Sequence, residues 1–353
     1  MDSITQIALG AAVGEAALGR RVGNLAPAWG AVLGTLPDLD ILLYPLLDPV
    51  NELAMHRSFS HSILFSVTAA PVFGWLLAHL HRGRGVPLVP WAWLAFLALF
   101  THLALDSFTV YGTQVFWPFS AYPVSLDSIF VIDPAYTLPL ALGVLLSLGR
   151  RRDGGRRLMP NRIGLALSTV YLAWTLVAKA VIEKEFRADL DNRGIIPERV
   201  MTNPAPFNTI LWMGIAEAGD TLYVGLQGLF DAEKNDGLIA IPRNPALLAG
   251  HEEDRAVRRL AWFSKGWWAL ERRTDGSVAW NDVRFGRNDV FLAPDGEFVF
   301  RFVLPPSPGG TYETFDQEYP DVRFSGALVG ALARRASGHT GDPTTGVPRI
   351  SRP

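Results

Sequence analysis

Residues 88–106 read LVPWAWLAFLALFTHLALD, an apolar run that closes on a histidine and an aspartate. A helix over that run rises about 1.5 Å per residue and crosses roughly 30 Å of hydrocarbon. His102 and Asp106 lie four residues apart, so the helix places both side chains on one face, where they can reach the same ion. The alternative is a histidine hydrogen-bonded to a carboxylate inside a helix bundle. Ionisable groups are costly beside hydrocarbon, and a divalent cation is the simplest partner for such a pair.

Working outward, three more stretches have the same character: 61–80, 129–148 and 163–182, each of 20 residues and low in charge. Two weaker ones precede them. Residues 4–19 are short and carry Glu15, and residues 25–47 are interrupted by Pro37, Asp38 and Asp40. The expected fold is an α-helical polytopic membrane protein of about six helices. Composition agrees: 49% of the 353 residues are hydrophobic, 20 are Phe and 11 are Trp, with the apolar excess in the first half. The opening MDSITQ lacks a basic segment, so no cleavable signal is expected.

Charge restricts the function classes. The formal net charge is -2 and no basic block stands apart from the membrane-flanking arginines, which argues against a nucleic-acid partner. With no cysteine, any metal site must use histidine and carboxylate. Arg20, Arg21, Arg82, Arg84, Arg150, Arg151, Arg152, Arg156, Arg157 and Arg162 all fall on one side of a six-helix topology, while the opposite short loops hold only Arg57. The positive-inside bias places the arginine loops in the cytoplasm. Asp2, Asp38, Asp40, His56, His61, His102 and Asp106 then share the external ends of their helices.

The remaining candidates follow from local chemistry. His56 and His61 are five apart and need not share a helix. Ser58 and Ser60 are good N-caps, so His61 falls in a first turn while His56 reaches in from a loop, or both merely decorate a polar helix start. Of the pair after Pro37, Asp38 is favoured as the ligand. Asp40 and Asp127 are candidates for general base or for orienting the histidines. Arg57, alone on its side, suits bidentate phosphate binding or pairing with an aspartate. Gln114, with Thr109 and Thr113, offers hydrogen bonds in the loop TVYGTQVFWPFSAYPVSLD (109–127), whose Phe116, Trp117, Phe119 and Tyr122 suit a substrate mouth or an interfacial aromatic belt.

After Ile182 the pattern changes. Residues 183–200 are charged, and then LYVGLQGLF (222–230), WWALERR (267–273), VAWNDVRFG (278–286) and FVFRFVL (298–304) alternate with turn residues. These predict a β-rich or α+β domain over 185–333, external by the topology above, with one helix in 247–264. The helical domain occupies 1–184, and 334–353 reads as a disordered tail.

The strings MDSITQ, LPDLD (36–40), HRSFSHS (56–62), THLALDSFTVYGTQVFWPFS (101–120) and PAPFNTILW (204–212), in this order, resemble the YdjM/YbcI-type family of inner-membrane metal-dependent hydrolases, sometimes described as LexA-regulated. The resemblance implies a bacterial inner-membrane protein with a histidine and aspartate metal centre and hydrolase activity. The order Asp, His, His-x-x-x-Asp is also similar to the metal core of zinc-dependent phospholipase C and related nucleases. Those enzymes have further downstream histidines, whereas only His251 and His339 follow here. One or two ions are therefore expected, zinc first and manganese or iron next. The expected metal ligands are Asp2, Asp38, His56, His61, His102 and Asp106. The favoured function is hydrolysis of a phosphoester in a membrane lipid or lipid-linked substrate by a metal-activated water. The alternatives are a divalent-metal transporter or sensor, hinted at by His79 and His81, and a non-catalytic scaffold with a structural metal.

Overall fold

Helix propensity and apolar length act together in the first half of the chain, whose structure is a computed structural model describing residues 1–150, 156–231, 237–292, 296–306, 310–320 and 326–339. Two compact units emerge. The helical unit comprises Met1–Pro45, Met55–Leu176 and Pro206–Asn208. The second unit comprises Leu46–Ala54, Val177–Ala205 and the chain from Thr209 onward. The expected boundary at 184/185 falls inside a long helix whose residues from Val177 already belong to the second unit.

Helix α1 covers Ser3–Val22 and α2 covers Leu25–Thr35. A 3-10 helix, Leu36–Leu46, follows, because Pro37 has no N–H to continue the α ladder. Short α3 (Pro49–Met55) and a 3-10 turn (Phe59–His61) lead to α4 (Ile63–Leu80), α5 (Leu88–Asp106), α6 (Pro134–Leu148) and α7 (Leu158–Asn192). Among the described residues α4, α5 and α7 are long and apolar enough to cross a membrane. Two expectations are corrected. The stretch 129–148 gives only the 15-residue α6, about 22 Å long. Asp133 caps it by accepting the N–H groups of Ala135 and Tyr136, and Pro134 occupies its first turn, so the helix starts late. The region 25–47 is two short helices rather than one span.

Helices α1 and α2 form a hairpin through Gly23, at φ 68°. Their backbones touch through Gly10 and Gly14 on one side and Gly30 and Gly34 on the other. A Cβ on Gly30 would overlap the Gly10 carbonyl oxygen, and one on Gly14 would overlap that of Ala26. Small residues four apart allow this approach, as in membrane helix pairs. Asn161 of α7 donates to the Ala12 carbonyl at 2.8 Å, and Ser168 to that of Tyr136 at 2.8 Å. Glu15, which weakened α1 as a span, is fully buried and clasped by Arg157, whose Nε and Nη2 each donate to a carboxylate oxygen at 2.8 Å.

The second unit contains two four-stranded antiparallel sheets, each a meander. The first is β1 (Arg199–Pro204), β2 (Leu211–Ala218), β3 (Thr221–Gly228) and β4 (Ile239–Pro242). The second is β5 (Trp268–Arg272), β6 (Val278–Arg287), β7 (Phe298–Leu304) and β8 (Asp316–Glu318). All four predicted strand segments are strands. Trp212, Trp280, Phe263 and Phe302 are among the large side chains fully buried here. The helix expected in 247–264 is the shorter α8, Arg255–Ser264, because Gly250 turns the chain at φ 84° before it. Helix α9, Gly326–Ala336, runs into the first residues of the expected tail, whose residues 340–353 lie outside the described ones, as do Arg151 and Arg152.

Candidate metal centre

Four chain segments converge where α5 ends. The 3-10 helix after α2 brings Asp38, the turn before α4 brings His61, and the last turn of α5 brings His102 and Asp106. One ligand atom from each lies within 4.8 Å of all the others. His61 Nε2 is 3.1 Å from His102 Nε2 and 3.3 Å from Asp38 Oδ1. His102 Nε2 is 3.5 Å from Asp38 Oδ1, and Asp106 Oδ2 is 3.5 Å from each imidazole Nε2. Four N and O donors about 2.0–2.1 Å from a tetrahedral zinc ion would be about 3.3 Å apart. Five of the six donor pairs lie at 3.1–3.5 Å, close to that spacing.

The outer contacts agree with the distances. His102 Nδ1 faces the Gly34 carbonyl at 2.6 Å, and a carbonyl only accepts, so Nδ1 donates and Nε2 is turned toward the cluster. His61 Nδ1 has Ser60 Oγ at 3.0 Å and Asp40 Oδ2 at 3.8 Å, which orients that ring in the same sense. Such outer contacts fix the tautomer of metal-binding histidines. Asp106 Oδ1 accepts from Gln6 Nε2 at 2.9 Å and from the Met1 amino group, while the buried Oδ2 has no hydrogen-bond partner. Potential ligand atoms thus meet at a point that a cation would fill. His61, His102 and Asp106 are fully buried, and the Asp38 side chain is 25% exposed.

Residues 1–185 match the family described as "YdjM inner membrane protein". The chain belongs to this family. The chain is also similar to "Uncharacterized protein YfhP" of Bacillus subtilis (strain 168), 34% identical over 144 residues, or 38% of this chain and 42% of that protein. The chain therefore spans less than half the length of this relative. No solved structure matches it.

In this YdjM family member, not every candidate residue reaches the cluster. Asp2 does not: it is the N-cap of α1, accepting the N–H groups of Ile4 and Thr5. The position before a helix start leaves a carboxylate facing free N–H groups, and that use wins. His56 also stays outside, with Nδ1 3.2 Å from Asp40 Oδ2 and its ring edge-on to Tyr111 at 5.1 Å. Asp40 takes the orienting place, accepting the Arg57 N–H at 3.1 Å between the two histidines. Arg57 pairs with an aspartate, one of its two expected uses. Its Nε lies 3.3 Å from Asp106 Oδ2, and its Nη1 donates to Thr109 Oγ1 at 3.0 Å. Gln114 is buried and donates its backbone N–H to the Arg57 carbonyl at 2.9 Å, and Asp127 sits in the same loop at φ 50°. Neither joins the four ligand atoms.

Gln6 is the residue that sequence reading missed. It is fully buried, ties α1 to Asp106, and leaves Oε1 without a hydrogen-bond partner. Its signal was present in MDSITQ: an amide in the second turn of an apolar helix, four residues after the aspartate that drew attention instead. His79 and His81 lie elsewhere. His79 stacks on Trp75, and His81 accepts from Trp29 Nε1 at 2.8 Å.

Proposed function

We propose that this chain is a membrane-embedded, metal-dependent hydrolase that holds a divalent cation, zinc first, at Asp38, His61, His102 and Asp106. The observation that carries the reading is the set of four donor atoms gathered for one ion, one from each residue within 4.8 Å of the others, with Asp106 Oδ2 facing both imidazole Nε2 atoms at 3.5 Å. When bound, the cation supplies Lewis-acid polarisation and lowers the pKa of water. The chain's own groups set the stage: Gly34, Ser60 and Asp40 hold the imidazoles, while Gln6 and Arg57 brace Asp106. Three ligands are sealed from solvent and Asp38 is the accessible one, so a phosphoester would approach from its side. Phosphoesters of lipids or lipid-linked headgroups are the favoured substrates.

A second reading has an observation of its own. Four protein ligands complete a tetrahedron, as structural zinc sites do, whereas catalytic sites commonly keep three and an open place. Asp38→Ala separates the two readings. A catalytic site keeps metal on three ligands and loses turnover, and a structural site loses the metal and the fold together. Transport has less support, because the side chains of α5 on the way to the other end, Trp91, Leu94, Ala95, Ala98 and Leu99, are fully buried and almost wholly apolar. The test is metal analysis of the purified protein with turnover of a panel of lipid phosphoesters. Metal-replete protein that cleaves no phosphoester, amide or ester would overturn the reading.

The orientation belongs to the same proposal: arginine loops in the cytoplasm, metal centre and second unit outside. Cysteine-accessibility labelling on this cysteine-free chain checks it, with the exposed position 252 of the second unit expected to react from outside and position 84 from inside.

A further inference from the structure

The segments that build the metal centre expose the wrong side chains for an aqueous surface. The 3-10 helix Leu36–Leu46 turns Asp40 inward but exposes Leu39, Ile41, Leu42 and Leu43, with Leu42 69% exposed. Across the site, the loop between α5 and α6 exposes Phe116, Phe119 and Tyr122, with Phe119 at 87%. Neither segment contains a lysine or arginine. The opposite helix ends expose Arg82, Arg84, Arg150 and Arg156 instead. Apolar surface costs about 25 cal/mol per Å² in water, and contiguous exposed patches mark an interface.

We propose that these segments form a lip submerged in the bilayer, so that an amphiphilic phosphoester reaches the metal centre sideways with its chains still in lipid. The occupant is lipid because the lip continues the lipid-facing surface of a span. The Phe59 ring packs edge-on against Phe65 of α4 at 5.0 Å and against Trp117 of the loop at 5.3 Å. The exposed Ile63, Leu64 and Val67 of α4 carry the same surface onward. A 3-10 helix satisfies much of its own backbone, which makes it tolerable at membrane depth. Asp38, the accessible ligand, sits on this helix beside Leu39. The lip is argued from exposed side chains alone, but the substrate it admits rests on the hydrolase reading.

The experiment uses the full chain in phosphatidylethanolamine and phosphatidylglycerol vesicles, with a fluorophore on Leu42→Cys, Phe119→Cys or, for reference, Arg84→Cys. Nitroxide-bearing lipids are expected to remove most of the fluorescence at 42 and 119 and iodide almost none, with the reverse at 84. Iodide quenching at both 42 and 119 would overturn the lip. So would shielding from both quenchers that disappears when the protein is diluted in lipid, which means that a second copy covers the surface. Lipid quenching in a protein that holds no metal would sustain the lip and sink the hydrolase reading. Turnover with an iodide-accessible lip would do the opposite.

Discussion

At one end of the helical unit Arg157 clasps Glu15 through two hydrogen bonds and adds a third to Asn24 Oδ1 at 2.8 Å. At the other end two imidazole nitrogens and two carboxylate oxygens face one another, with the Arg57 guanidinium 3.3 Å from Asp106 Oδ2. Both groups are buried, and both are built from residues that belong in water. The first is complete in itself: each acceptor meets a donor, and the charges cancel. The second draws the Arg57 guanidinium and the Met1 amino group to Asp106 and leaves Asp38 facing the two imidazoles. Buried charge is tolerated when paired, so the first set holds helices together, and on the proposed function the second set holds the ion.

The comparison breaks most sharply at the ligands. His102→Ala and Asp106→Ala are each expected to weaken metal binding by well over 100-fold, beyond the roughly 10–100-fold typical of outer contacts. Elemental analysis of the purified variants measures this. Unchanged metal in both would reduce the cluster to bundle polar residues like those at the other end.

The next effect belongs to the complete pair. Glu15→Ala leaves Arg157 buried without its partner and should cost about 3–5 kcal/mol of stability. The protein that still folds should carry the same metal content as wild type. Detergent-solubilised thermal unfolding and metal stoichiometry, read together, check this, and a loss of metal with stability unchanged would erase the distinction between the two ends.

The smallest effect concerns Asp40. Replaced by Asn, it keeps its shape but loses the charge that orients His61 and His56, so metal affinity should fall by about 10–100-fold without abolition. His56→Ala should do less, since His56 meets the cluster through Asp40 and an edge-on contact with the His61 ring at 6.1 Å. Competition with a chelating dye ranks the two variants, and a greater loss for His56→Ala would make that histidine a ligand.

Much of this was legible before folding. The four apolar stretches were visible as composition, and three of them are helices long enough to span. The fourth fell short because Asp133 and Pro134 start α6 late, a capping effect that hydropathy averages away. The strand segments were legible because aromatic and β-branched runs between turn residues have few other uses. His102 and Asp106 were readable as a pair because a helix alone fixes their relation. His56 and Asp2 lie outside the four-residue cluster for the opposite reason: each sits at an irregular start, where a cap or a neighbouring carboxylate competes for the side chain.

By itself the sequence determined which donors were available, histidine and carboxylate without thiolate, and that they clustered at the ends of apolar segments. Only the tertiary structure decided which four of them meet. Asp38 and His61 are 23 residues apart, and each is more than 40 residues from His102. Their convergence depends on the glycine contact that lets α2 lie against α1 and thereby sets the Gly34 carbonyl against His102. No local rule encodes that distance, because it is fixed by how closely two backbones can approach.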